Sequence, residues 1–153
     1  WAVGGGLNIA SACDFRIATT DARFGSPIGR TLGNCLSALS LARIGGAIGV
    51  SIAKRMVLLG EVISAQELQS TGYLLNIVER DELDAAVDEV CARAAENAPL
   101  TTRATKETLR RMTLENLPDV EGIIEQVYGS ADFKRGVEAF LARTKSVPTW
   151  TGE

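Results

Sequence analysis

Three consecutive glycines, Gly4, Gly5 and Gly6, stand between an apolar lead-in, Trp1-Ala2-Val3, and the apolar residues Leu7, Ile9, Ala10 and Ala12 at helical spacing. Glycine admits positive φ and close approach of another backbone or a ligand, so the stretch predicts a tight turn into the start of a helix. The first amides of a helix have no partner inside it and lie at the positive end of its dipole. They suit a phosphate, a carboxylate or the oxyanion of a reacting carbonyl. A glycine-rich turn equally serves tight packing, and on spacing alone both readings stand. A second polar set lies in the stretch PIGRTLGNCLS at residues 27–37. Arg30 carries a planar fork that matches a carboxylate or a phosphate, with a solvated loop arginine as the plain alternative. Cys35 is a nucleophile only where Arg30 or a helix start stabilises its thiolate, and otherwise a small buried residue. Asn34 is placed to cap the helix that follows.

Composition narrows the chemistry. The chain of 153 residues has no histidine, which excludes a Ser-His-Asp triad, a Cys-His pair and an HExxH zinc helix within it. Among the acids, Asp14, Asp21, Glu61 and Glu67 read as turn, capping or surface residues rather than bases. A net charge of −3, with lysine and arginine scattered, gives no electrostatic footprint for nucleic acid or an anionic membrane. No apolar run reaches the length of a membrane span. The three cysteines, Cys13, Cys35 and Cys91, are odd in number and far apart, so neither a disulfide framework nor a metal site is expected. These features predict a cytoplasmic protein with reduced thiols.

The order of motifs adds to this reading. GGGLNIASACDFRIA followed by ARFGSP, with MVLLGEVISAQELQSTGYL at residues 56–74 and DFKRGVEAFLARTKSVPTWTG at residues 132–152, resembles the crotonase family, the enoyl-CoA hydratases and isomerases. The resemblance runs over nearly the whole chain and matches the later part of a family member, with Trp1 falling inside a strand. It implies an acyl-CoA thioester as substrate, coenzyme A arriving as part of that substrate, no permanently bound cofactor, and a homotrimer or hexamer. It places on Gly5 the backbone N–H that meets the thioester carbonyl as it becomes an enolate. The two water-handling glutamates of the hydratases fall on Asn8 and Ile28, so both acids are replaced. Arg30, Asn34 and Cys35 then become candidate pocket residues, and Phe140 and Lys145 candidate contacts to the CoA nucleotide. The alternative is a non-catalytic family member that binds acyl-CoA or only assembles.

These residues need elements to hold them. A strand is expected at residues 14–19 and a second at 22–25 across the Thr20-Asp21 turn. Pro27, Gly29 and Gly33 are expected to break regular structure, Ser37 or Ser40 to open a helix, and Gly45-Gly46 to interrupt it. Ile48, Ile52, Met56 and Leu59 mark one helix face ended by Gly60. Ser64 and Glu67 have capping-box spacing, and a brief strand follows at 76–79. From Asp81 onward the pattern is four amphipathic helices with charged outer faces. The resemblance implies for these elements an α/β crotonase fold, with residues 1–80 as the later part of a spiral ββα core and residues 81–153 as a helical trimerisation region.

Overall fold

The computed structural model describes residues 1–143 and 147–152. The core half runs β1 (Ala2–Val3), α1 (Gly5–Ala12), β2 (Ile17–Thr19), β3 (Arg23–Gly25), α2 (Ile28–Thr31), α3 (Ala38–Ile48), α4 (Val50–Leu58), β4 (Val62–Ser64), α5 (Ala65–Gln69) and β5 (Asn76–Val78). After a single turn at Arg80–Glu82 come α6 (Leu83–Ala95), α7 (Pro99–Leu114), α8 (Glu121–Tyr128) and α9 (Ala131–Leu141).

The strands feed two small sheets. In one, β1 lies parallel to β3 with Ala2 opposite Phe24, and β4 lies antiparallel to β3 with Ile63 opposite Phe24. In the other, β2 and β5 are parallel with Ala18 opposite Ile77. Strands β2 and β3 therefore do not pair across the Thr20-Asp21 turn; the chain steps from one sheet to the other there. Each takes a parallel partner distant in sequence, which requires a helical crossover.

One cluster knits the sheets to the helices: Leu7 from α1, Phe24 from β3, Ile44 and Ile48 from α3, Met56 from α4, Ile63 from β4, and Leu68, Tyr73 and Leu74 from α5 and its exit. Phe24 and Tyr73 meet edge to face at 5.7 Å, a favoured aromatic geometry.

The breaks differ from the sequence expectation in three places. Residues 28–31 form a helical turn, because Pro27 O accepts the amides of Arg30 and Thr31 and the Thr31 hydroxyl. Asn34 does not cap α3; Ser37, one of the two serines expected to open it, does, its Oγ accepting from the Ser40 amide at 3.2 Å. Gly45 and Gly46 lie inside α3 rather than ending it. A Cβ on Gly46 would stand 3.1 Å from Thr113 Cγ2, so this glycine serves the close crossing of α3 and α7. The break falls at Gly49, whose φ of +84° and ψ of 143° suit glycine alone. At α5, Ser64 Oγ accepts the Glu67 amide as expected, while the Glu67 carboxylate turns instead to Arg55, which also binds Glu61.

Helices α6, α7 and α8 contain no buried residue, and in α9 only Gly136 is buried. Their apolar stripes stand open: Leu100 is 80% and Met112 77% exposed. No helix among the described residues is long and apolar enough to cross a membrane.

Candidate active site

The glycine turn is set by a strand on one side and a fastened helix on the other. The β1–β3 pairing continues one residue past β1, where Gly4 N donates to Gly25 O at 2.9 Å. Gly4 then takes φ +58° and the chain enters α1. Helix α1 is held by burial of Leu7 and Ser11, one turn apart on the same face. Its far end is capped by Arg16, whose Nη1 donates to Cys13 O at 2.6 Å and Ala10 O at 3.2 Å. The guanidinium lies 4.5 Å over the Tyr73 ring, and Nε donates to Tyr73 O at 2.7 Å. A cation at the carbonyl end of a helix complements its dipole. Tyr73 OH in turn lies 3.1 Å from Ser11 Oγ; burial pushes the phenol's pKa up, countered by that hydrogen bond.

Gly5 is the first residue beyond the ladder and the first of the helix. Its amide has no hydrogen-bond partner among the described residues. A Cβ built on Gly5 would meet nothing within 4 Å, so the space beside the turn is open. Asn8, one turn on, is half-buried and donates from Nδ2 to Ser40 Oγ of α3 at 2.7 Å. Its Oδ1 is buried without a partner among the described residues. Ser37 Oγ lies 3.2 Å from Ser40 Oγ, extending the polar contact along the first turn of α3.

The second polar set surrounds α2. Ile28 is buried, yet lies outside the main hydrophobic cluster. Ser26, just before it, is fully buried, and its Oγ has no partner among the described residues. Arg30 is exposed and Cys35 is a half-buried free thiol. Asn34 donates to Tyr128 OH at 3.4 Å and keeps a buried, unpartnered Oδ1.

That loop is clasped by the end of the chain. A Cβ on Gly136 of α9 would fall on the backbone of Leu32, with Leu32 Cα at 2.9 Å. Gly33, at φ +67°, faces the Trp150 ring and Asp132 O, 3.0 and 3.3 Å from where its Cβ would be. The Asp132 carboxylate gathers the Thr151 amide at 2.9 Å, the Gly152 amide at 2.8 Å, the Thr151 hydroxyl and Arg135. The two tail amides lead in pulling its pKa down to about 2. Phe140 lies one turn beyond Gly136 on α9 and is largely exposed. Lys145 lies outside the described residues.

The structure thus joins Gly5 and Asn8 on the first turn of α1, and Ile28, Arg30, Asn34 and Cys35 on α2 and the loop after it. Ser40, Ser26 and the Asp132 clasp were not legible as site features. The first and last depend on residues far apart in sequence, 32 positions for Asn8 and Ser40. Buried hydroxyls and amides of ordinary spacing carry no periodic signal.

A family model described as enoyl-CoA hydratase/isomerase matches residues 1–153. The chain is 35% identical to the (E)-benzylidenesuccinyl-CoA hydratase of Thauera aromatica, over 94% of this chain and 57% of that protein. It is 29% identical to the short-chain-enoyl-CoA hydratase of Clostridium acetobutylicum, over 95% and 57%. It therefore spans a little over half the length of these relatives. Among solved structures, a methylmalonyl-CoA decarboxylase in complex with 2-nitronate-propionyl-CoA superposes with a TM-score of 0.89 at 25% identity, covering 99% of this chain and 59% of that one. A carnitinyl-CoA hydratase from Mycobacterium avium gives 0.82 at 26%, covering 99% and 60%.

Proposed function

The chain belongs to the enoyl-CoA hydratase/isomerase family, and from that premise we propose that the whole protein binds an acyl-CoA thioester and stabilises its enolate at the Gly5 amide. The observation that carries this is the Gly5 N–H, first in its helix, free of the strand ladder and without a partner among the described residues, on a residue whose α-carbon borders open space. A donor fixed in advance of the reaction costs no reorganisation as charge gathers on the carbonyl oxygen. Coenzyme A enters as the substrate's own carrier, with Phe140 and Lys145 as contacts to its nucleotide end.

The residues that the resemblance sets at the two glutamate positions, Asn8 and Ile28, are unusual for the family. Asn8 can hold a water but takes no proton at physiological pH, and a buried isoleucine at position 28 does neither. Each general acid or base commonly contributes about 10²- to 10⁴-fold in rate. Water addition driven by this part of the chain is therefore weak. A reaction that supplies its own electron pair fits better: a thioester bearing a carboxylate on its α-carbon loses CO2, and the breaking C–C bond leaves its pair as the enolate. Arg30 suits that carboxylate, and the likeness to a methylmalonyl-CoA decarboxylase favours the same reading.

The test uses the complete protein. Crotonyl-CoA is followed by loss of enoyl absorbance, and methylmalonyl-CoA by release of CO2. Gly5→Pro removes the N–H at the first helical position, where proline is tolerated. Losing one such donor costs about 3–4 kcal/mol, a drop of roughly 10²- to 10³-fold in kcat. Full turnover by that variant would overturn the assignment. Tight acyl-CoA binding with no turnover of either ester would assign the protein as a non-catalytic binder. The same reading includes a cytoplasmic location, consistent with scattered free thiols, and assembly as a trimer or a hexamer.

A further inference from the structure

Where α1 crosses α3 beside the glycine turn, three polar side chains meet. Asn8 Nδ2 donates to Ser40 Oγ at 2.7 Å, and Ser40 Oγ lies 3.2 Å from Ser37 Oγ, which itself accepts the Ser40 amide as the cap of α3. Ser40 is therefore fixed from two sides, by its place in the first turn of the helix and by the capping hydroxyl. The end of the Asn8 amide turned away from Ser40 is its oxygen, buried and without a partner among the described residues. A buried acceptor left unpaired is costly, and such atoms call for a ligand or a water. Asn8 stands three residues after Gly5, on the same side of α1.

Granted the acyl-thioester reading above, we infer that Ser40 is a positioning residue: it locks the Asn8 amide so that Oδ1 is presented as a neutral hydrogen-bond acceptor one helical turn from the Gly5 donor. The first turn of α1 then offers a paired recognition element. The Gly5 N–H takes the thioester carbonyl, and Asn8 Oδ1 takes an O–H near the reacting carbons. Without Ser40 the amide turns freely and presents its NH2 group as readily as its oxygen, so the preference for an O–H is lost. The O–H comes either from a hydroxyl on the acyl chain or from a held water, and the two sources separate by experiment.

Binding of 3-hydroxybutyryl-CoA and butyryl-CoA to the complete protein, measured by titration calorimetry, reads the first source. The wild type is expected to favour the hydroxy ester by roughly 3- to 10-fold, the range of one neutral hydrogen bond. Ser40→Ala is expected to erase that ratio while leaving butyryl-CoA affinity unchanged, and Ser40→Thr to restore it. Unchanged butyryl-CoA affinity also shows that the variant is folded. If water is the partner, the two esters bind alike, but Ser40→Ala lowers kcat on crotonyl-CoA at constant KM, again with rescue by Ser40→Thr. Equal affinity for both esters together with kinetics indifferent to Ser40→Ala would overturn the role of Ser40. A wild type that binds neither ester nor methylmalonyl-CoA would overturn the thioester reading itself, and one that binds methylmalonyl-CoA alone would overturn the role of Ser40.

Discussion

Ile28 stands where the family resemblance expects a carboxylate. It is buried, two residues after a fully buried Ser26. Restoring the acid by Ile28→Glu is therefore expected to destabilise the protein by about 2–4 kcal/mol in urea unfolding, because a carboxyl there is desolvated. The same substitution on an exposed site surface would be nearly neutral, so the measurement decides whether position 28 is packing or pocket wall. At this scale the sequence was partly legible. The glycine turn stood out because glycine repeats are rare and conformationally specific. The pair of Asn8 with Ser40 was silent, since nothing in either residue type announces a partner on another helix.

Single glycines decide how the elements meet. Gly136 allows the backbone of α9 to lie directly on Leu32. Gly136→Ala is expected to push α9 off the loop, costing about 1–3 kcal/mol as overpacking does and exposing α9 to limited proteolysis before the core. Asp132 fastens the same contact from the tail side. Its pKa is depressed in the folded state, so the stabilisation is present above the usual carboxylate range and is lost as pH falls from about 4 to about 2. Glu107, held to about 2 by Arg110 and Arg111, titrates in the same window, so a local probe is needed. Trp150 fluorescence in a Trp1→Phe background is expected to report tail release on acidification, and Asp132→Asn to show the released signal already at neutral pH. The stop at Gly60 was readable from its type, but the single face expected through Ile48, Ile52, Met56 and Leu59 was not kept: Ile48 ends α3, Met56 is buried on α4, and Leu59 is 66% exposed beyond it. The glycines of α3 were not readable: Gly45-Gly46 and Gly49 look alike in sequence, and only the approach of Thr113 separates a packing glycine from a breaking one.

A single copy of this molecule leaves most of its second half unfinished. Helices α6, α7 and α8 bury no residue of their own, although each carries an apolar stripe. Amphipathic helices gain their stability from covering such stripes. Those stripes are expected to be covered in the complete protein, and if the trimer or hexamer proposed above covers them, Leu109→Lys with Met112→Lys is expected to shift its sedimentation toward one copy. Two short sheets joined by helical crossovers, the α/β order read from the strand and helix pattern, supply the rigid half. The clasp at Gly33 adds a constraint of time. Trp150 and the Asp132 fastening are synthesised long after the loop they hold, so on the ribosome that loop emerges with its local bonds to Pro27 and Ile28 but well before the tail can clasp it. Contacts of such sequence separation close late in folding. Asn34 and its neighbours should thus acquire their final arrangement among the last events of maturation, leaving a newly made chain with a settled core and a still unformed pocket.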